Sequence, residues 1–426
     1  MQSTVRVAII GGNRIPFVRS NTAYKNASNL DMLTAALKGL VKRFDLEGER
    51  LGEVAAGAVM KHAKDFNLAR EATLSSKLSP RTPAYDVQQA CGTGLEAAIL
   101  VANKIALGQI ECAIAGGADT ASDVPIGVNE SYRQMLLDLN RAKTLGQRLK
   151  ILTRFRPSFI LPEITANVEP RTGLSMGQHC ELMAKQWQVS REQQDELTFS
   201  SHQNLIEAYE EGVFDDLISP FKEVKRDGIM RNTPMEKLAQ LKPAFDRQSG
   251  SLTAANSTTL TDGAASVLLA SEEWAHKRNL PIQAYLTHSE VAAVDFHSQG
   301  EKSEGLLMAP AYAVPRLLER AGLTLQDFDF YEIHEAFAAQ VLCTLKAWES
   351  DEFCKTKLGL SQALGSIDRS KLNIKGSSVA TGHPFAATGA RILATLAKII
   401  HQNGGGRGLI SICAAGGQGV TAIVEG

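Results

Sequence analysis

Apolar residues in this chain fall into short runs broken by glycine, and these runs alternate with longer stretches of helical period. Val5 to Ile10 is strand-like and is punctuated by Gly11-Gly12 and Pro16, after which Leu30 to Phe44 carries a helical pattern. Following Pro83, the stretch Ala-Tyr-Asp-Val predicts a strand that stops at Gln88-Gln89-Ala90-Cys91-Gly92. From Thr93 to Leu107, Leu95, Ala98, Ile99, Ala102, Ile105 and Ala106 make one apolar helix face of small and branched residues. Gly108 ends that helix, and Cys112 to Ala115 before Gly116-Gly117 predicts a buried strand.

A comparable order returns near the C-terminus. Ser377 to Ala380 is read as a strand, His383-Pro384 as a turn, Ala387 to Ile400 as a small-residue helix, and Leu409 to Cys413 as a strand before Gly416-Gly417. Two copies of this order suggest a duplicated unit, and the alternation of strands with helices predicts layered α/β architecture. Roughly Ala121 to Asp246 differs in character, with polar, charged helical segments such as Arg191 to Glu211 and several prolines. It reads as an inserted cap or loop region packed on the core.

Composition narrows the function classes. With 426 residues, 44% hydrophobic and 21% charged, the chain can bury a large core and has room for two or three domains or one duplicated domain. Lys plus Arg total 45 against 46 Asp plus Glu, which removes any global electrostatic case for nucleic acid or a membrane as partner. The first ten residues lack the regions of a secretory signal, and no apolar run approaches the length of a spanning helix. Six cysteines, at 91, 112, 180, 343, 354 and 413, occur without any C-x-x-C pair, against a disulfide framework or structural zinc. A reducing cytoplasm is the expected compartment.

One stretch departs from the even charge. Between Ser131 and Leu161 seven basic residues (Arg133, Arg141, Lys143, Arg148, Lys150, Arg154 and Arg156) face a single acid, Asp138. Leu145, Leu149 and Leu152 recur at helical spacing beside Ile151 and Phe155, so the stretch reads as a basic amphipathic helix. It either covers a substrate pocket or docks on a partner or an anionic membrane surface.

Three positions stand out chemically. Cys91 sits where a strand hands over to a helix, where amides and the helix dipole stabilise a thiolate, and Gly92 and Gly94 permit close approach. Taken alone it reads rather as a small buried hydrophobe. His383 lies on a glycine-bounded turn from which an imidazole can activate a thiol or donate to an oxyanion. Cys413 ends a core strand ahead of Ala414-Ala415-Gly416-Gly417, whose amides are exposed by small residues. His334-Glu-Ala-Phe-Ala338 fails the zinc-protease pattern because the second histidine is absent, and Gly404 to Gly408 follows a helix and so makes a poor phosphate cradle.

Together these segments resemble the thiolase family over nearly the whole chain. Gly116-Gly117-Ala118-Asp119, Lys242-Pro-Ala-Phe-Asp246, Leu252-Thr-Ala-Ala-Asn256, Leu260-Thr-Asp-Gly-Ala-Ala265 and Glu319-Arg-Ala-Gly322 join the Cys91, His334, His383 and Cys413 segments in the family's order. The resemblance implies a duplicated, layered α/β/α/β/α core: an N-terminal half of 1–120 with 247–275, an inserted region 121–246, and a C-terminal half 276–426. It implies CoA-dependent retro-Claisen cleavage of 3-ketoacyl-CoA through an acyl-Cys91, with Cys91, His334, His383 and Cys413 catalytic and the amides of Cys91 and Ala415 as an oxyanion site. No cofactor or metal is implied, because CoA is a substrate.

Departures from the common family pattern sharpen this. His334-Glu-Ala-Phe337 replaces the usual Asn-Glu-Ala-Phe and resembles the thiolase (β) subunit of trifunctional fatty-acid oxidation complexes, which favours degradation over acetoacetyl-CoA synthesis. Thr93 stands for a serine hydroxyl, and Ala415 replaces a glycine, tolerable only at negative φ. Thr258 aligns with a serine that touches the pantetheine arm, and Met176 is placed with it at the CoA site. A homodimer is implied, as is a hydratase/dehydrogenase α subunit that the 131–161 segment would meet. A decarboxylating ketoacyl synthase would use two histidines without a second catalytic cysteine, so Cys413 speaks against it, and an inactive lipid-binding relative would not need all four motifs.

Overall fold

Twelve strands are present in the computed structural model, which describes residues 5–164, 168–298 and 303–426. Strands β1 (Val7–Arg14), β2 (Val18–Arg19), β3 (Glu53–Ala56), β4 (Ala84–Asp86) and β5 (Cys112–Asp119) come first. After a separate pair, β6 (Ile126–Val128) and β7 (Pro162–Ile164), come β8 (Thr261–Ser271), β9 (Ala284–Ala293), β10 (Phe330–Ile333), β11 (Arg407–Ala414) and β12 (Gln418–Glu425). The main sheet runs β10-β11-β12-β9-β1-β8-β5-β3-β4, with β2 on β8.

This order holds the same pattern twice. In the first half β3 is parallel to β5, β5 antiparallel to β8, and β8 antiparallel to β1. In the second, β10 is parallel to β11, β11 antiparallel to β12, and β12 antiparallel to β9. Within the sheet, the halves pair at Ala8 with Tyr285 and Ile9 with Ala284. The expected duplication is therefore a matter of strand pairing.

Period-two alternation assigns the strand residues to layers. Ile9, Val267, Ile412 and Val424 face inward onto two central helices, Thr93–Ala106 and Thr388–Gln402, which bring Leu95, Val101, Ile105, Ile392, Leu396 and Ile400. Ala8, Ile10 and Leu268 face the opposite way, onto the Asn29–Arg43 helix through Leu33, Leu37 and Leu40. A capping box between Ser28 and Asp31 starts that helix. On the other flank Leu409 and Ile423 meet Val314, Leu317, Val341 and Trp348 from helices Ala309–Ala321 and Ala338–Glu349. Each fully buried aliphatic chain contributes about 1.5–3 kcal/mol, so the five layers are held mainly by apolar burial.

Three expectations change. Gly11-Gly12 and Gly116-Gly117 lie inside β1 and β5 rather than ending them: a Cβ on Gly12 would lie 2.3 Å from Ala394 of a central helix, one on Gly116 2.4 Å from Ala265 O of β8, and one on Gly117 2.3 Å from Ala386 O. Ser377 to Ala380 is not a strand: Ser378–Thr381 is one helical turn. The sheet edge beside β10 is occupied instead by Leu372, bridged to Tyr331, and by Asn373, whose side chain bonds the amide and carbonyl of Ile333. With that ladder position filled, the next residues satisfy their amides within the turn and, for Val379, at the Glu335 carboxylate.

Everything from Thr120 to Leu260 leaves and returns between β5 and β8, which are antiparallel neighbours. Within it, helices Met176–Gln186 and Arg191–Glu210 pack on the Ala338–Glu349 helix. The basic stretch is not one helix but two, Glu130–Arg141 and Leu145–Leu152, followed by a 3-10 turn at Pro157–Ile160. Thr144 breaks it, because its side chain caps Gln147 in a new capping box. Leu145, Leu149, Ile160 and Leu161 are exposed.

Candidate active site

Cys91 stands on a sharp turn between β4 and the Thr93–Ala106 helix. Ala90 takes φ +45°, a left-handed conformation that costs an alanine about 1–3 kcal/mol. The turn is braced by Thr93, whose hydroxyl donates to Ala90 O at 2.7 Å and accepts from Gln89 N at 2.8 Å. The Thr93 hydroxyl thus shapes the backbone at the nucleophile position. Cys91 is partly exposed, and one face of it looks toward His383.

His383 reaches the same point from the other half. Its amide donates to Thr261 Oγ1 at 2.7 Å, and three residues later Ala386 N donates to Asp119 Oδ2 at 2.8 Å. Asp119 also accepts from Val59 and Met60, so one buried carboxylate ties the His383 loop to the first half. Burial lifts its pKa to about 6 against the pull of those three amides. The two central helices meet through glycine: a Cβ on Gly389 would lie 2.2 Å from Leu95 N, and one on Gly94 2.6 Å from Ala386 O. This contact sets Cys91 Sγ 3.1 Å from His383 Nε2. Burial pushes the Cys91 thiol up to about 12, opposed by the Ala415 amide, and pushes His383 down to about 3, with Arg391 adding to the effect. At neutral pH they form a neutral thiol–imidazole pair.

His334 lies beside His383, with ring centroids 4.2 Å apart. Its Nδ1 is 2.7 Å from Ser378 Oγ, and its Nε2 is buried without a hydrogen-bond partner among the described residues. Burial, the neighbouring His383 and Arg391 hold its pKa well below the usual imidazole range. The adjacent Glu335 anchors the loop, accepting from Ser201 Oγ, Asn373 Nδ2 and Val379 N at 2.8, 2.6 and 3.1 Å. Cys91, His334 and His383 bring one ligand atom each within 4.8 Å of one another, a donor set that suits a thiophilic metal. Here Cys91 and His383 engage each other instead.

Cys413 is the next-to-last residue of β11, buried, with its thiol raised well above the ordinary range by burial and by the nearby Cys91. The chain then turns through Ala415, Gly416 and Gly417, the two glycines at φ +78° and +70°. Ala415 is not among the residues with positive φ, so its methyl group is tolerated, and its amide points at the Cys91 sulfur. Gly416 N donates to Glu169 Oε2 at 3.2 Å, which ties the turn to the inserted region. Thr258 is half-buried, its amide on Ala336 O, and Met176 packs with Phe245 and Phe337 in the cluster that contains Cys413.

All four side chains singled out from the sequence therefore converge, Cys91 from the first half and His334, His383 and Cys413 from the second. Missed were the residues behind them: Asp119, Glu169, Asn373, Ser378, Thr388 and Arg391. Asp119 had a signal, as the acid closing a small-residue strand. Ser378 had none, because its segment resembles a strand.

Comparison with known proteins agrees with this geometry. Family models described as "Thiolase, N-terminal domain" and "Thiolase, C-terminal domain" match residues 7–273 and 288–426. The chain is 42% identical over 427 aligned residues to 3-ketoacyl-CoA thiolases from Yersinia pestis (strain Pestoides F) and Yersinia pseudotuberculosis (strain IP 31758), covering 99% of this chain and 97% of each relative. The crystal structure of the Bacillus anthracis acetyl-CoA acetyltransferase superposes with a TM-score of 0.82 at 31% identity, covering 100% of both chains. Matched along both halves and by full-length relatives, the chain belongs to the thiolase family.

Proposed function

We propose that the protein is an acyltransferase that cleaves 3-ketoacyl-CoA with CoA, giving acetyl-CoA and a shortened acyl-CoA, as in fatty-acid β-oxidation. The observation that carries this reading is the 3.1 Å contact of Cys91 Sγ with His383 Nε2 beside a second buried thiol, Cys413. A thiolate is both a good nucleophile and a good leaving group, which the two half-reactions require of one atom.

His383 takes the Cys91 proton, and the thiolate attacks the keto carbon. The bond between C2 and C3 breaks, and its electron pair passes into the enolate of acetyl-CoA, whose oxygen is held by His383 and His334. Cys413 protonates the enolate carbon and releases acetyl-CoA. The Cys413 thiolate then takes the proton of incoming CoA, whose sulfur attacks the acyl-Cys91 thioester and expels the Cys91 thiolate. Amides of Cys91 and Ala415 hold the oxyanion of this second step, and His383 returns its proton to Cys91. Thr258 and Met176 contact CoA. No further cofactor takes part.

The partners are acyl-CoA and CoA, a second copy of the chain as a homodimer, and, through residues 131–161, a hydratase/dehydrogenase α subunit or an anionic membrane surface. Support for the last comes from exposed Leu145, Leu149, Ile160 and Leu161 beside Lys143, Lys150 and Arg156. The compartment is the cytoplasm. No helix among the described residues is long and apolar enough to cross a membrane.

Incubation with a 3-ketoacyl-CoA and CoA tests the reading: acetyl-CoA should appear in step with loss of the ketoacyl substrate, and kcat/KM across chain lengths should fix the preferred substrate. No acetyl-CoA at any length, with acetoacetyl-CoA formed readily from acetyl-CoA, would establish the synthetic alternative instead.

A further inference from the structure

Two histidines face the reacting atoms, and each can present either a lone pair or a proton. His383 Nε2 lies against the Cys91 thiol, so it accepts from S–H, and its Nδ1–H then donates to Thr388 Oγ1 at 2.7 Å. For His334 the choice is made at its far side. Ser378 Oγ is 2.7 Å from His334 Nδ1 and 2.6 Å from Arg391 Nη2. A guanidinium only donates, so Ser378 Oγ accepts from Arg391. These two are the hydroxyl's hydrogen-bond partners among the described residues, so its own proton goes to His334 Nδ1. The imidazole proton must then sit on Nε2, the buried nitrogen without a partner.

Ser378 is itself fixed. It is fully buried at the start of the one-turn helix, its carbonyl accepts from Gly382 N, and the following amide, Val379 N, donates to Glu335 Oε2. Arg391 is 3% exposed on the central Thr388–Gln402 helix.

We propose that Ser378, oriented by Arg391, is the positioning residue that locks His334 as its Nε2–H tautomer, so that a hydrogen-bond donor faces the enolate oxygen. The inference rests on the retro-Claisen reading above for the identity of that oxygen. With the tautomer reversed, a lone pair would face a developing negative charge. The two neighbouring rings thereby hold opposite tautomers, one as base toward Cys91 and one as donor.

The tautomer can be read without turnover. In ¹⁵N NMR of the histidine-labelled full chain, the resonances absent from His334→Gln identify the ring. Nε2 should be of the protonated type and Nδ1 of the unprotonated type; the reverse assignment, or an average of the two, overturns the proposal. Kinetics supply the second arm. Ser378→Ala should slow exchange of acetyl-CoA methyl protons with D₂O, which passes through the enolate, by about 10-fold or more, while acyl transfer from preformed acyl-Cys91 to CoA stays within about 2-fold. Ser378→Thr, which keeps the hydroxyl, should restore exchange. Equal loss in both half-reactions, or no rescue by threonine in a folded variant, would reduce Ser378 to a packing role and overturn the proposal. A wild-type protein that exchanges no acetyl-CoA protons would instead remove the retro-Claisen reading, and the NMR assignment alone would then decide the tautomer.

Discussion

Cys91 and His383 touch at 3.1 Å although 292 positions separate them, because each sits just before one of the two central helices and those helices come from opposite halves of the duplicated sheet. Neither half contains a complete nucleophile–base pair. The chemistry expected of the protein lies on the seam between them.

Replacing the nucleophile tests the first step directly. Cys91→Ser should lower turnover by at least about 1,000-fold while CoA binding stays nearly unchanged, since a hydroxyl is far harder to ionise than a thiol in this buried setting. Steady-state kinetics with calorimetric CoA titration check this. A variant retaining a tenth of the wild-type rate rules out the assignment.

Cys413→Ala should separate the two half-reactions. Proton transfer at the enolate carbon stops, yet Cys91 remains next to His383 and still accepts an acyl group from a preformed acyl-CoA. Intact-protein mass spectrometry should find the acyl adduct on Cys91. Its absence, with Cys91 unmodified, contradicts this division of labour.

Glu332 supplies a pH dependence separate from catalysis. Its carboxyl is buried with Oε2 unpartnered, and burial lifts its pKa from 4.5 to about 8, opposed by Arg391. Between those limits the folded chain keeps a proton that the unfolded chain has lost, so stability falls as pH rises through the window. Glu332→Gln removes that loss. Relative to wild type its melting temperature should rise by about 2 °C or more between pH 5 and pH 8. A constant difference across the range excludes the assigned protonation.

The basic, apolar surface gives a prediction of association. Arg148, Lys150, Arg154 and Arg156 changed together to Gln should leave turnover intact and weaken co-sedimentation with anionic vesicles or co-purification with an α subunit, each cation contributing on the order of 1 kcal/mol at low salt. Arg154 is paired with Asp138, so its share should be smallest. Turnover that collapses while both associations persist would assign the segment to the active site.

Much of this was legible from residue patterns, and the exceptions have physical causes. The helices at Asn29, Thr93 and Thr388 and the strands at Cys112 and Arg407 follow from periodicity, because burial on one or both faces dictates it. Cys91, His334, His383 and Cys413 were legible through a family resemblance, whereas Cys91 alone reads rather as a packed thiol. The turn at Ser378 was misread because Ser-Ser-Val-Ala has strand composition, and only the Asn373 side chain, which occupies the sheet edge, prevents pairing. The break at Thr144 was hidden because apolar spacing continues across it; the cap was local, the stripe was not. Left-handed Ala90 leaves no compositional trace, since alanine is not the residue a positive φ selects.

The glycine contact between the central helices constrains how such enzymes can be recombined. Leu95 N and Gly389 leave no room for a methyl group between them, so the spacing of the two helices is set by backbone against backbone rather than by exchangeable side chains. A chimaera that takes residues 5–273 from one relative and 288–426 from another would keep this spacing only if both parents carry glycine at the two crossing positions. A parent with alanine at either one would deliver a half that folds around its own core yet holds its cysteine too far from the other parent's histidine. Compatibility of halves would then be decided at two residues that take no part in the chemistry.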